Sequence, residues 1–417
     1  MVDDSQVVEP VSESEDAARL REELAAARLE IDRLKSELTS ARRRMDLFQS
    51  LGDFRDQLVE QLNLQSRLET REKLLSLLSR DLPFPKKRQV FAVSFIFTSL
   101  PGSMLLTLYL FWYALFRETT RILLALLVIY ALHIFFDKTM ERGANPKAWA
   151  KGHAIWQWFV DYFPVELRLM NPDTKFSPEN VYLFGYHPHG VISVGCFANF
   201  AASVTGFSTL FPGLQIRVAT LAFNFNVPFF REILLRMGVI AVSAKSIRHV
   251  LSSGPGSAVI IVPGGAAEAL DARPGAHDLT LQKRSGFFRI ALQHGAHLVP
   301  TYSFGENELY AQVPNKPGTA LRRVQEYLLR SWGYSIPYIF GAGSSQTCGA
   351  VPFNPVPRRC PVITIVGNPI ACEQIDSPST EQIEDLKELY ISRVQEIFNR
   401  FADEYAPDRT GELRIVQ

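Results

Sequence analysis

The chain has 417 residues, an apolar fraction of 47% and a formal net charge of +1 at pH 7. This balance excludes a disordered chain and a strongly basic protein that coats nucleic acid, so no nucleic-acid partner is expected. The cysteines lack the C-x-x-C spacing of disulfide-rich or zinc-binding proteins, which favours a reducing compartment. Residues 1–16 are acidic and polar, and they do not resemble a signal peptide.

Residues 17–48 carry apolar side chains at the a and d positions of a heptad repeat. These side chains are Ala17, Leu20, Leu24, Ala27, Ile31, Leu34, Leu38, Ala41, Met45 and Phe48. Glutamates at g positions precede basic residues at e positions by five residues, the pairing made between chains in a parallel dimer. We therefore predict a coiled-coil homodimer through residues 17–48, within an N-terminal helical region of residues 1–83. The alternative is a single amphipathic helix that packs on the chain's own domain.

Two uncharged segments follow, at residues 90–116 and 122–136. One membrane span needs about 20 apolar residues, so the stretch from Val90 to Phe136 suffices for two. Lys86-Lys87-Arg88 precede the pair and four more basic residues follow by residue 151, which predicts that both flanks lie in the cytosol. The sequence thus predicts a membrane helical hairpin at residues 84–140. Pro101-Gly102 leaves open a re-entrant wedge in one leaflet.

Residues 141–417 alternate strand-like and helix-like patterns, which predicts a layered α/β domain with a parallel or mixed sheet. The expected strands are Val181–Phe184, Leu214–Leu221, Ala258–Val262, His297–Phe304 and Val362–Val366. The expected helices are Val191–Val204, Phe229–Met237, Ala244–Leu251, Ser285–His294, Ala320–Trp332 and Thr380–Tyr405. In such folds ligands bind beyond the C-terminal ends of the strands.

Three motifs fall at predicted strand ends. They are Tyr186-His187-Pro188-His189-Gly190, which we call the histidine turn, Pro263-Gly264-Gly265-Ala266-Ala267-Glu268, and Gly305-Glu306-Asn307-Glu308. Together with Tyr162-Phe163-Pro164 and Ser285-Gly286-Phe287, and in this order, the motifs resemble the type-2 diacylglycerol acyltransferase family from about residue 90 to the end. The coiled coil lies outside the resemblance.

The resemblance implies transfer of a fatty acyl group from the co-substrate acyl-CoA to a neutral lipid hydroxyl, with no cofactor or metal. It also implies a location at the endoplasmic reticulum and the lipid droplet. The family includes acyltransferases for monoacylglycerol and for wax alcohols, so the acceptor stays open. Glycerol-phosphate acyltransferases place an Asp after their histidine, and the matching positions here are Val194 or Ile192. A neutral acceptor, diacylglycerol first, is therefore expected.

The chemistry requires a base, because a free hydroxyl is a poor nucleophile near neutral pH. We predict that His189 is the base, that Glu268 holds its imidazole, and that His187 orients or donates to the carbonyl, with the two histidines interchangeable. The N-terminus of the following helix would stabilise the oxyanion through free backbone N–H groups. Gly190, Gly264 and Gly265 are expected to shape these turns.

Further residues are candidates for substrate binding. Lys283, Arg284 and Arg289 could hold the phosphates of coenzyme A, although a solvated basic face explains them equally well. Tyr186 and Asn307 complete the predicted substrate-binding set.

Two other functions fit parts of the sequence. His187, His189 and Glu268 could form a three-ligand zinc site of a lipid esterase, although Pro188 restricts the geometry of the two rings. A membrane-tethered coiled-coil scaffold would explain the first 80 residues but leaves the ordered motifs unexplained.

A fragment of residues 1–80 should be a dimer in solution, because its apolar a and d side chains would be buried only between two helices. Multi-angle light scattering over a range of concentrations measures this directly. A fragment that stays monomeric at high concentration would contradict the coiled coil.

Overall fold

The computed structural model describes residues 87–117, 121–202, 204–333, 337–341, 351–352 and 356–416. The predicted coiled coil at residues 17–48 and the rest of region 1–83 lie outside the described residues.

Two apolar helices open the described part of the chain. Helix α1 is Lys87–Phe116 and helix α2 is Arg121–Phe136, and they contact each other. Two helices, Lys87–Phe116 and the segment Arg121–Glu141, are long and apolar enough to cross a membrane. Most of their large apolar side chains point outward, as expected where lipid replaces water. Helix α1 continues through Pro101.

A seven-stranded sheet forms the centre of the remaining chain, with the strand order β1-β11-β7-β2-β5-β3-β4. The strands are β1 Val165–Leu169, β2 Tyr182–His187, β3 Gln215–Thr220, β4 Val239–Ala241, β5 Ser257–Ile261, β6 Asp278–Thr280, β7 His297–Phe304, β8 Ala311–Gln312, β9 Ile339–Gly341, β10 Val351–Pro352, β11 Val362–Val366 and β12 Arg414–Val416. All neighbours in the large sheet are parallel except β11 and β7. The predicted α/β domain with a mixed sheet is confirmed.

The other described helices connect or cover the strands. They are α3 Ala148–Lys151, α4 Ala154–Tyr162, α5 Val194–Cys196, α6 Phe207–Leu210, α7 Phe230–Arg236, α8 Ala244–Leu251, α9 Gly265–Ala269, α10 Gly286–His294, α11 Ala320–Trp332 and α12 Thr380–Tyr405. The helix predicted from Val191 begins only at Val194 and continues as a π-helical turn, Phe197–Ala201. Residues 190–192 instead form a turn, and this difference shapes the site.

Helices cover both faces of the sheet. Adjacent residues of a strand point to opposite faces, and Leu183 and Phe184 belong to different apolar clusters. On the first face α8, α10 and α12 pack through residues such as Phe288 and Tyr390. On the second face α4 and α7 pack through residues such as Trp156 and Leu235. Helix α1 contacts α4 and α7, so the apolar helices lie on the side of the second face.

One buried guanidinium ties helix α2 to the domain. Arg231, at the start of α7, has a side chain that is 1% exposed. It donates to Asp137 just after α2 at 2.5 Å, to Glu232 at 2.9 Å and to the carbonyl of Phe225 at 3.1 Å. A buried charge is tolerated only when it is paired in this way.

Arg231→Met should lower the free energy of unfolding by about 2 kcal/mol, because Asp137 and Glu232 lose their buried partner. Arg236→Met in the same helix, whose side chain is 42% exposed, should change it by less than about 0.5 kcal/mol. Thermal unfolding of the two variants in the same detergent compares them. Equal shifts of the two midpoints would show that Arg231 is not an anchor.

Candidate active site

The histidine turn lies in the middle of the sheet, where β2 ends between β5 and β7. The peptide bond between His187 and Pro188 is cis. Gly190 has φ of +58°, and a Cβ atom there would lie 2.7 Å from Cγ of Glu306. Only glycine therefore fits at this position without displacing its neighbour. The turn leads directly into α5.

His189 is half-buried. The hydrogen-bond partner of its ring shows which ring nitrogen carries the proton. The ring Nδ1 lies 3.1 Å from the carbonyl oxygen of Gly190. A carbonyl only accepts, so Nδ1 carries the proton and Nε2 keeps an unshared electron pair. Burial lowers the pKa of His189 below its usual value, which keeps the ring neutral at neutral pH. His189 therefore has the electronic state of a general base.

His187 is fully buried and has the opposite tautomer. Its Nε2 lies 3.0 Å from the hydroxyl of Tyr390 on α12, and that hydroxyl donates to the carbonyl of Gly185 at 3.0 Å. Since the single hydroxyl proton is used on Gly185, Nε2 of His187 must be the donor to Tyr390. Burial lowers the pKa of His187 to about 3, so the ring stays uncharged. A Cβ atom on Gly185 would overlap the Tyr390 hydroxyl.

Glu268 is next to the histidine turn but does not contact an imidazole, which corrects the predicted contact. Its carboxylate accepts from the backbone N–H of His189 at 2.5 Å and of Thr280 at 2.8 Å. Both N–H groups lie outside helices and need an acceptor, which a buried carboxylate supplies. Burial raises the pKa of Glu268 to about 7, and the two N–H donors oppose this rise. Glu268 thus holds the backbone of His189 in place.

A second buried carboxylate, Glu306, holds the other end of the turn. It accepts from the hydroxyl of Tyr186 at 2.8 Å and from the backbone N–H groups of Val194 at 2.5 Å and Gly195 at 2.9 Å. Burial raises the pKa of Glu306 to about 7. The N–H groups at the start of α5 are therefore already used by Glu306. The prediction that this helix N-terminus binds the oxyanion is wrong.

Free donors lie three residues earlier, within the turn. Among the hydrogen bonds between described residues, none is donated by the backbone N–H groups of residues 190–192. Gly190 and Val191 are buried and directly follow His189. These N–H groups are therefore hydrogen-bond donors that the other described residues do not use.

The glycine turn after β5 makes room for Glu268. A Cβ atom on Gly264 would overlap the Glu268 carboxylate, and Gly265 has φ of +58°. Gly264 therefore leaves the space that the Glu268 carboxylate occupies, and Gly265 permits the left-handed backbone of the turn.

Two residues predicted to bind substrate are buried instead. Tyr186 is 0% exposed and its hydroxyl serves Glu306. Asn307 is 7% exposed and its amide donates to the carbonyl of Ala276 at 2.7 Å, which supports the segment before β6. Both side chains therefore hold neighbouring segments of the site in place and are not exposed to a substrate.

The three predicted cations lie at the surface. Lys283, Arg284 and Arg289 are exposed at the start of α10 and form no ion pair among the described residues. Arg284 lies nearest the glycine turn, with Nη2 3.4 Å from the carbonyl of Gly264. Helix α10 packs on the first face of the sheet, opposite the apolar helices.

The predicted zinc ligand set is not assembled. Nε2 of His187 faces Tyr390, Nδ1 of His189 faces the Gly190 carbonyl, and Glu268 faces backbone N–H groups. Within the described ranges, no three His, Cys, Asp or Glu side chains are grouped to hold a metal ion. The three side chains point to three different partners, because each one satisfies a buried backbone or hydroxyl group.

The sequence placed Glu306 in a motif at a strand end without assigning it a role, and it did not indicate Tyr390 at all. Glu306 directly follows the buried strand β7, and this position at a strand end was a usable signal. Tyr390 lies 203 residues after His187 in a regular helix, and no local pattern marks it.

A model of the diacylglycerol acyltransferase family matches residues 113–416. The chain belongs to the diacylglycerol acyltransferase family. The resemblance stated from the motifs is confirmed, and so is the prediction of an acyltransferase enzyme.

Relatives within the family differ in the acceptor that their names state. Diacylglycerol O-acyltransferase 2B of Umbelopsis ramanniana is 37% identical over 86% of this chain and 100% of its own length. The 2-acylglycerol O-acyltransferase 1 of Bos taurus is 42% identical over 66% of this chain and 81% of its own. Acyl-CoA wax alcohol acyltransferase 1 of Homo sapiens is 40% identical over 73% of this chain and 90% of its own.

Among solved structures, a 1-acyl-sn-glycerophosphate acyltransferase of Thermotoga maritima is similar with a TM-score of 0.36 and 9% identity. That match covers 75% of this chain and 97% of the bacterial one, and a similarity of this size carries no argument about mechanism.

The stability of the domain should fall as the pH rises from about 4.5 to about 7. The pKa of Glu268 is raised from 4.5 to about 7 on folding, so the folded state binds this proton more tightly than the unfolded state. The resulting contribution to stability is complete below about pH 4.5 and is lost as the pH rises through about 7. Glu268→Gln should flatten part of this dependence, whereas Glu166→Gln, at an exposed site, should not. Thermal midpoints measured across this pH range provide the comparison, and parallel curves for all three proteins would contradict the assignment.

Proposed function

We propose that this acyltransferase esterifies diacylglycerol to triacylglycerol with acyl-CoA, and that His189 is the general base. The single observation that carries the choice of base is the hydrogen bond from Nδ1 of His189 to the Gly190 carbonyl, which leaves Nε2 unprotonated. His187 is the weaker candidate, because its pKa of about 3 makes it a poor proton acceptor.

The proposed reaction needs no covalent enzyme intermediate. Nε2 of His189 removes the hydroxyl proton while the acceptor oxygen attacks the thioester carbonyl carbon. The resulting oxyanion accepts hydrogen bonds from the N–H groups of residues 190–192. When the intermediate collapses, the carbon–sulfur bond breaks and His189 returns the proton to the departing thiolate. Glu268 keeps the base in position through the backbone N–H of His189.

The two substrates would approach from opposite faces of the sheet. Lys283, Arg284 and Arg289 are exposed and form no ion pair among the described side chains, and they would bind the phosphates of acyl-CoA. The apolar helices pack against the other face, and a lipid acceptor would arrive from there. The histidine turn lies between the two faces, at the C-terminal edge of the strands.

A neutral acceptor fits the chemistry of the turn. The carboxylates of Glu268 and Glu306 accept hydrogen bonds from backbone N–H groups. Glu306 uses the N–H groups at the start of α5, so this helix N-terminus has none left to bind a phosphate. Diacylglycerol is the acceptor in the names of several relatives, and monoacylglycerol and wax alcohols are the competitors that must be tested.

We further propose that the protein is located in the endoplasmic reticulum membrane and at the lipid droplet, with both termini in the cytosol. Basic residues on both sides of helices α1 and α2 support this orientation. We also propose a homodimer through residues 17–48, which is supported by the heptad pattern of apolar side chains there.

Membranes that contain the full-length protein should esterify diacylglycerol in preference to monoacylglycerol and a long-chain alcohol when all three compete for labelled acyl-CoA. Thin-layer chromatography of the labelled products gives the ratio. A dominant wax ester or diacylglycerol product would reassign the acceptor while leaving the enzyme class intact.

In the same assay, His189→Ala should lower the rate with every acceptor by about a thousandfold, because it removes the base. His249→Ala, an exposed histidine on α8, serves as the control and should match the wild-type rate. Acylation that persists unchanged in His189→Ala would remove His189 from the mechanism.

A further inference from the structure

Exposed apolar side chains cluster at one edge of the described domain. Beyond helix α2, eight large apolar side chains are exposed among the described residues. Four of them, Ile192, Phe223, Phe229 and Val242, follow the C-terminal ends of strands, and their exposed fractions are 42%, 37%, 40% and 43%. We call these four side chains the apolar edge.

The sheet topology puts the apolar edge beside the histidine turn. Strands β2, β5, β3 and β4 are consecutive neighbours and parallel, so their C-terminal ends lie along one edge. Ile192 follows β2, Phe223 and Phe229 follow β3, and Val242 directly follows β4. Three strand spacings correspond to roughly 14 Å. The apolar edge therefore extends from the catalytic turn toward the far strand.

Phe229 joins this edge to the apolar helix α2. Its backbone N–H donates to the hydroxyl of Tyr130 at 3.1 Å, and the two rings are 5.8 Å apart. The same hydroxyl donates to Glu232 at 3.3 Å. Tyr130 lies on α2, so the contact is continuous with the helix that is apolar enough to cross a membrane.

The backbone of Phe229 is also strained. Its φ is +64° with ψ of −48°, and a bulky side chain rarely adopts a positive φ. Such strain persists only where surrounding contacts impose it, and it is concentrated at functional sites. Here it keeps an aromatic ring 40% exposed beside α2, where burial would be expected to be favourable.

We propose that the apolar edge binds the acyl tails of the neutral lipid acceptor and guides its hydroxyl from α2 to His189. This inference rests on the proposed function and adds the path of the acceptor. The charged side chains at the start of α10 lie apart from Phe229 and Tyr130, because α10 packs on the first face of the sheet and α7, which Phe229 precedes, packs on the second. The path takes lipid tails rather than a headgroup, since it is lined by four apolar side chains.

The test compares two double variants of the full-length protein in membranes. The first, Phe223→Ala with Val242→Ala, shortens the apolar edge without touching the histidine turn. The control, Val324→Ala with Tyr327→Ala, removes two exposed apolar side chains of α11. Each is assayed with diacylglycerol carrying long oleoyl tails and with diacylglycerol carrying short octanoyl tails.

The edge variant should raise KM for the long-tailed acceptor by about tenfold, because the tails lose apolar contact area. KM for the short-tailed acceptor, KM for acyl-CoA and kcat should stay within about twofold of wild type, as should all constants of the control. An equal rise for both tail lengths, a rise confined to acyl-CoA, or no change would overturn the inference.

A second measurement does not depend on the variants being folded. A long-tailed diacylglycerol with a photoreactive group at its tail should label wild-type residues 221–232 and 242, and mass spectrometry of the peptides locates the label. Labelling confined to α11 or to the start of α10 would overturn the path.

Failure of this inference is distinguishable from failure of the proposed function. A wild-type enzyme that esterifies neither diacylglycerol refutes the proposed acceptor and the path together. If the wild-type enzyme esterifies both diacylglycerols, but the edge variant is unchanged and the label lies outside residues 221–232 and 242, the path alone is refuted.

Discussion

Two buried carboxylates, Glu268 and Glu306, hold the histidine turn, and the geometry of the site depends on them. Glu268 accepts from the backbone of His189, and Glu306 accepts from Tyr186 and from the start of α5. Each carboxylate pairs with backbone N–H groups of a buried turn, where an N–H group without an acceptor would lower the stability of the fold. Both oxygens of each carboxylate accept hydrogen bonds from other groups, and among the described hydrogen bonds none is donated by the backbone N–H groups of residues 190–192, which follow His189.

The two imidazoles of the turn differ through their neighbours rather than through their sequence. The Tyr390 hydroxyl makes His187 a donor at Nε2, whereas the Gly190 carbonyl makes His189 a donor at Nδ1. Full burial keeps His187 uncharged, while His189 is only half-buried. Two identical side chains two residues apart therefore differ in their tautomer and in their exposure.

The two faces of the sheet carry helices of different character. Helix α10, which has cations at its start, packs on the first face, and the apolar helices lie on the side of the second, with the histidine turn at the C-terminal edge of the strands. Arg231 joins the apolar helices to the second face, since it connects Asp137 after α2 to α7.

The sequence alone determined the α/β class, both apolar helices, the five principal strands and the position of the histidine turn, because these depend on local periodicity and on turn residues. Short strands such as β4 and β6 were not predicted, since three residues carry too little pattern. Only the tertiary structure decided that Glu268 serves a backbone N–H, that Glu306 occupies the start of α5 and that Tyr390 selects the tautomer of His187. These contacts join residues that are 79, 112 and 203 positions apart, and no local pattern encodes which atoms of distant side chains meet.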